Sequence, residues 1–301
     1  MANFAYEVFS TVVAQHTFYQ AAATLNVTPS AVSHSINQLE KELGFPLFIR
    51  NRSGVELTSD GRQVLPYVQE ILNTESNLRQ VADNIQGLHS GSVRIGGFSS
   101  VCINWLPRII REFNHKYPDI KISVMQGNFN EITNWAKIGT IDIGFTSMPV
   151  NENLLVHSLI NDPIYCVTPA DFIPENGEFI TTDDVADKNF ILQQSDYDRD
   201  TKLALDHYHV TNNFLRFSID DQSIISMVES GLGMGILPQL ALRKLTGDVN
   251  TFSFAEPYNR EIALVANKTQ AAAPSTAIMI RAIKQFLTKE YPDQMLWQQQ
   301  S

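Results

Sequence analysis

The chain has 301 residues, 44% of them hydrophobic, and carries 32 carboxylates against 22 lysines and arginines, a formal charge of −10. That length suits two or three domains with real cores, while the acidic balance, taken alone, argues against nucleic-acid binding. No run of eighteen apolar residues occurs, the start MANFAYEVF has neither a basic segment nor a cleavage site, and two cysteines exclude a disulfide framework. These features point to a cytoplasmic protein rather than a membrane or secreted one.

Phe18 to Leu25 is alanine-rich, with apolar residues at helical spacing behind Thr17, a capping residue. Asn26-Val27 breaks the pattern. Thr28-Pro29 restarts it, a hydroxyl cap followed by proline at the first helical position, where its missing N–H costs nothing. Val32, Ile36, Leu39 and Leu43 make the apolar stripe and Gly44 stops the helix. Ser30, Ser33, His34 and Asn37 are left facing outward, polar side chains suited to base edges in a major groove. Two readings fit this spacing, a helix-turn-helix or an ordinary helical hairpin whose polar face meets only water. Leu47–Arg50 and Val55–Leu57, short strands around Asn51-Arg52-Ser53-Gly54, favour the first. A basic hairpin directly after such a helix pair is a wing that reaches phosphates or the minor groove.

The first sixty residues hold Lys41, Arg50 and Arg52 against Glu7, Glu40, Glu42, Glu56 and Asp60, so this head is itself acidic. The distribution matters more than the sum. Arg50, Arg52 and Arg62 cluster on and just beyond the wing, while Glu40 and Glu42 sit at the far end of the second helix. Phosphate contact then rests on those arginines, on Gln20, Thr28 and Ser30, and on N–H groups at helix N-termini. A single head with so few cations binds weakly.

Thr58-Ser59-Asp60-Gly61 starts a long helix that ends near Gly87 and is bent early by Pro66. Val64, Val68, Ile71, Glu75, Leu78, Ala82 and Ile85 recur at spacings of 4 and 3, a seam for pairing with another helix. The alternative is a surface helix packed on its own domain. The candidate pairing positions are Val64, Val68, Ile71, Leu78 and Ile85.

His89-Ser90-Gly91-Ser92 marks a boundary, after which strand and helix patterns alternate. Strands are expected at 93–97, 120–126, 141–146, 164–168, 190–193, 214–219, 233–237 and 262–266. Helices are expected at 103–117, 132–138, 200–208, 224–230, 238–245 and 277–289. Such alternation means a mostly parallel sheet covered by helices, with ligands at the carboxyl ends of the strands. Four polar segments fall there: Ser99-Ser100, Gln126-Gly127-Asn128, Thr146-Ser147 and Gln193-Gln194-Ser195. They suit a small polar or anionic ligand, with Phe98, Phe129 and Phe145 as apolar walls, although the two serines could equally cap a helix.

Other motifs lead nowhere chemical. Gly231, Gly233 and Gly235 follow a helix and precede a strand, the reverse of a dinucleotide fingerprint, and read as a helix cap and close packing. His207 and His209 have no carboxylate or cysteine at ligand spacing, so no metal is expected. Gly97-Phe98-Ser99 lacks the trailing glycine of a nucleophile elbow. Cys102 lies near a helix start, where a thiolate is favoured, but a small buried hydrophobe is the plainer reading. No cofactor and no catalytic constellation are implied.

The N-terminal segment closely resembles the winged helix-turn-helix of LysR-type transcriptional regulators. The resemblance rests on Phe9, Phe18, Ala21-Ala22, Leu25, Val27-Thr28, Ser30 to Ser33, Ile36, Leu39-Glu40, Leu43-Gly44, Leu47-Phe48, Arg50, Leu57-Thr58 and Gly61. It continues more loosely through Leu106-Pro107, Tyr117-Pro118, Ile141-Asp142 and Val228 to Gly233, running on to Leu237-Pro238. Pro29 stands where relatives often carry glutamine, and His34 where arginine is common. The resemblance implies a winged head over 1–58, a dimerising linker helix over 59–88 and an effector module over 89–301. The module would resemble periplasmic binding proteins, with lobe I at about 91–161 and 267–301 and lobe II at about 162–266. The chain would cross between lobes near Asn161 and Ala266, and inducers would sit between them at the four polar strand ends. The function implied is regulation of promoter DNA by a homodimer or homotetramer. The rivals are a small-molecule binding and assembly protein without specific DNA binding, and an α/β enzyme.

Overall fold

The computed structural model describes residues 2–51, 54–86, 90–193, 199–208, 214–217, 220–292 and 294–296. The head consists of α1 (Ala2–Gln15), α2 (Phe18–Leu25), α3 (Pro29–Leu43) and the antiparallel pair β1 (Phe48–Asn51) and β2 (Gly54–Leu57). Its caps are chemical. Thr17 Oγ1 accepts from Gln20 N, Thr28 Oγ1 accepts from Ala31 N, and Gly44 ends α3 in the left-handed region that favours glycine. Val8, Phe9, Val12, Ala21, Val32, Ile36, Leu39 and Leu47 form one core. The wing is held to the turn after α1 by Val55 N donating to His16 O, and a Cβ on Gly54 would lie 2.5 Å from that carbonyl.

α4 (Ser59–Ile85) follows, capped by Thr58 and unbroken through Pro66. Val68 is buried in the head core, and Val64, Leu65 and Leu72 pack against it. Val64 and Val68 therefore serve their own head and are corrected from the expected pairing seam. Ile71, Leu78 and Ile85, together with Val81, stay exposed.

The effector module opens with β3 (Gly91–Gly97), α5 (Ser99–Asn104), α6 (Leu106–Lys116), β4 (Ile120–Gln126), α7 (Phe129–Ile138) and β5 (Ile143–Ser147). The expected single helix over 103–117 is thus two, meeting at Trp105, where Pro107 starts the second rather than continuing the first. β6 (Leu155–Pro169) is one long strand. Its first part pairs with β12 (Asn259–Ala266) and its second with β10 (Met234–Pro238) and β11 (Val249–Phe254). The sequence pattern predicts only 164–168 of it, the part that follows Asp162-Pro163. Between them lie β7 (Phe179–Ile180), α8 (Thr182–Val185), β8 (Phe190–Gln193), α9 (Arg199–His207), β9 (Phe214–Phe217), α10 (Asp221–Glu229) and α11 (Gln239–Leu242). The chain ends with α12 (Lys268–Ala271) and α13 (Pro274–Glu290).

The sheet order is β4-β3-β5-β12-β6-β10-β8-β9, with β11 on β6 and β7. β3, β4 and β5 are parallel neighbours, whereas β12 runs antiparallel to β5 and β6. Ile262, Leu264 and Val265 of β12 belong to the lobe I core. The return crossing therefore lies between β11 and β12, at residues 255–258, and not near Ala266. A run such as IALVA is apolar in either lobe, so hydrophobicity could not say which sheet it joins.

Candidate DNA-binding face and effector cleft

On the head, Gln20, Thr28, Ser30, His34, Asn37 and Arg50 are exposed and Ser33 is half-buried. Ser30, Ser33, His34 and Asn37 lie along α3, opposite Val32, Ile36 and Leu39. Arg50 leans back onto this face: its guanidinium stacks 4.7 Å from the Phe18 ring centre and Nη2 lies 3.5 Å from Ser33 Oγ. Wing base, α2 and α3 therefore meet at one arginine, pre-oriented by an aromatic face. Arg62 Nη1 donates to Leu57 O at 2.7 Å, and Arg52 lies outside the described residues.

The head's acidity is partly removed from its surface. Glu40 Oε1 accepts from Leu47 N at 2.7 Å and from Phe48 N at 3.3 Å, so this carboxylate anchors the first wing strand to α3. Sequence counting treats Glu40 as a free charge; its true work is to satisfy two amides seven and eight residues on.

In lobe I the parallel order β4-β3-β5 brings three of the four polar strand ends to one edge. Gly127 N donates to Gly97 O, and Phe98 meets Phe129 edge-on with centroids 4.9 Å apart. Phe145 is core and meets Trp105 edge-on. Ser99 is the first residue of α5 and half-buried, and the N-cap position is Phe98, so neither serine caps this helix. Ser100 is buried and accepts from Arg260 Nη2 at 3.2 Å. Asn128 and Glu131 form a reciprocal capping box on α7, which occupies the Asn128 side-chain oxygen. Thr146 is buried, its Oγ1 3.4 Å from Thr133 Oγ1. Ser147 is half-exposed, yet its Oγ is buried with no hydrogen-bond partner among the described residues. Gln126 is exposed. Gln193 ends β8 in the other lobe, and Gln194 and Ser195 lie outside the described residues, so lobe I's side of the cleft is the one the structure describes.

Residues 5–62 match the bacterial regulatory helix-turn-helix protein, lysR family, and residues 86–288 match the LysR substrate binding domain. The chain belongs to the LysR family of transcriptional regulators. Transcriptional regulator YvbU of Bacillus subtilis is 29% identical over 94% of this chain and 98% of its own length. The regulator LrrA of Synechococcus elongatus is 27% identical over 93% and 95%. A full-length OxyR variant from Pseudomonas aeruginosa superposes with a TM-score of 0.76 at 22% identity, covering 96% of this chain and 95% of that one. Full-length CbnR complexed with its target DNA gives 0.63 at 17%, covering 95% and 100%. This LysR-family regulator thus joins a helix-turn-helix DNA-binding head to a substrate-binding effector domain. Among its described residues no helix is long and apolar enough to cross a membrane.

Sequence reasoning missed a buried ion pair close to where the chain passes between the two lobes. Arg260 and Asp162 face each other across β12 and β6, with Nη2 and Oδ2 2.5 Å apart and both side chains buried. Asp162 Oδ1 also accepts from Leu240 N, and Asn104 Nδ2 donates to Leu240 O at 2.8 Å. Arg260 further stacks 4.7 Å from the Phe98 ring centre. One signal existed: Arg260 is the one cation of NREIALVA, two residues before its apolar run IALVA. Cys102 is half-buried. Burial pushes its thiol up to about 11, and Sγ donates to Gly97 O.

Proposed function

We propose that this regulator binds double-stranded promoter or operator DNA in the cytoplasm as a homodimer or homotetramer, and that a small polar or anionic effector between the lobes changes how its heads are set. It acts by binding and performs no catalysis. Ser30, Ser33, His34 and Asn37 read base edges from α3, while Arg50 and Arg52 reach the phosphate backbone with Gln20 and Thr28. Ile71, Leu78 and Ile85 pair the subunits, doubling the phosphate contacts that one weakly basic head lacks. Ser99, Gln126, Gly127 and Ser147 face the effector, and Gln193, Gln194 and Ser195 are assigned to the same ligand. Ser100, Asn128 and Thr146 shape this site through hydrogen bonds that already use part of their capacity.

The observation that carries this reading is the exposed polar face of α3 beside an aromatic-backed arginine, Arg50. Retention of fragmented genomic DNA on the purified full-length protein tests it, followed by salt titration on a recovered fragment. Recovery of defined fragments, with affinity falling linearly in log–log salt, is expected. Recovery of random fragments alone would leave α3 without a reading role.

A further inference from the structure

The linker helix and lobe I share a buried polar seam that the expected site does not include. Ser10 Oγ of α1 donates to Gln69 Oε1 at 3.0 Å, and Gln69 Nε2 donates to Asn73 Oδ1 at 3.2 Å. Arg94 Nη2 donates to the same Asn73 oxygen at 2.9 Å, and Asn73 Nδ2 donates to Gly139 O at 2.9 Å. Arg94 in turn grips Asp142 through its backbone N, Nε and Nη2, and Gln270 Nε2 donates to Asp142 Oδ1. Gln69, Asn73, Asp142 and Gln270 are all buried. Head, linker helix and effector lobe are thus joined by one unbroken hydrogen-bonded chain with Asn73 at its middle.

The placement of the lobe I ends of this chain is informative. Arg94 lies in β3, whose other end runs into Ser99 and Ser100. Asp142 directly precedes β5, whose other end is Thr146 and Ser147. Gly139 caps α7, which begins at Asn128. Three rigid elements therefore run from the cleft edge to the seam, and each contributes one group to Asn73 or to its arginine. The contact at Gly139 is tight: it has φ +77°, and a Cβ there would lie 2.5 Å from Asn73 Nδ2. A contiguous network of packed elements and satisfied polar groups is the physical form that coupling between sites takes.

We propose that Asn73 is a positioning residue, which sets the DNA-binding head relative to lobe I and passes to it any shift of β3, β5 or α7. The origin of that shift in a cleft ligand rests on the function proposed above; the positioning itself does not. Water competes well for amide and guanidinium groups once they part, so a polar seam can open without exposing apolar surface. That makes head position an adjustable setting rather than a permanent feature of the core.

Pulsed dipolar distances between spin labels at Lys41→Cys on the head and Asn153→Cys on lobe I test this, using full-length protein in a Cys102→Ser background diluted with unlabelled protein. Asn73→Ala should widen the single head-to-lobe distribution at least twofold and alter the footprint on a captured genomic fragment. Gln69→Leu, which leaves every lobe I residue intact, should do the same if Asn73→Ala folds poorly. An unchanged distribution in the folded variants, or a wild-type footprint despite a widened one, overturns the proposal. No effector is used, so failure of the cleft reading and failure of the seam are separate results.

Discussion

The two halves of α4 bury opposite kinds of side chain. In the first half Val68 fills the head core with Val64, Leu65 and Leu72 packed against it, and Gln69 is the buried polar side chain beside them. In the second half Asn73 and Gln80 are each 5% exposed, whereas Leu78 is 68% and Ile85 81% exposed. There the helix turns amides toward its own lobe, with Gln80 Oε1 2.7 Å from Ser275 Oγ and Asn77 Nδ2 donating to Thr269 O. It turns isoleucine and leucine outward. A helix with its polar face docked and its apolar face open suits the pairing of subunits proposed above. The contrast separates residues packed within one subunit from residues the proposal assigns to a second.

The sharpest way to break that contrast is to charge the open face. Ile71→Glu with Leu78→Glu should yield folded monomers whose operator affinity falls by about 10³-fold or more, measured by sedimentation and fluorescence anisotropy at physiological salt. A double variant that still sediments as a dimer would move the interface off this face.

Arg260→Met extends the comparison to the effector module, where a buried polar pair ties β12 to β6. Removing Arg260 leaves the buried Asp162 carboxylate without its cation, so chemical denaturation should show a loss of about 3–5 kcal/mol in the effector module. On the packed half of α4, Val68→Ala should cost the head about 2 kcal/mol without changing the oligomeric state. Leu78→Ala should do the reverse, leaving subunit stability within roughly 0.5 kcal/mol and weakening association.

His34→Ala removes an exposed side chain, so folding should be unaffected. Specific operator binding should lose about 1–3 kcal/mol while random DNA binds as before. Equal losses on both would take base reading away from α3. The smallest effect belongs to Cys102. With its thiol raised to about 11, the protonated form dominates at neutral pH, and alkylation should stay slow there and accelerate as pH climbs toward 11. Fast modification at neutral pH would reopen a redox role for this cysteine.

The head was legible because its signals are local. A capping threonine, a proline one residue later and an apolar stripe ending at glycine act within one or two turns of chain. The polar strand ends of lobe I were legible as positions, since parallel strands must end on one edge. Their individual states were not. Asn128 is committed to its own helix cap and Ser100 to Arg260, while Ser147 alone of these three keeps a buried hydroxyl with no partner among the described residues.

Sequence by itself determined the helix pair and wing of the head, most of the strands and helices of the second module, an outward polar helix face on the head, and a seam of apolar residues along the linker. Tertiary structure decided how that seam divides: Val68 goes to the head, Ile71, Leu78 and Ile85 go to solvent. It also decided where the chain returns to lobe I and which carboxylates Arg94 and Arg260 meet. The reason is range. Asn73 finds Gly139 across 66 positions and Ser100 finds Arg260 across 160, and no periodicity within a helix or strand encodes which distant strand will lie alongside.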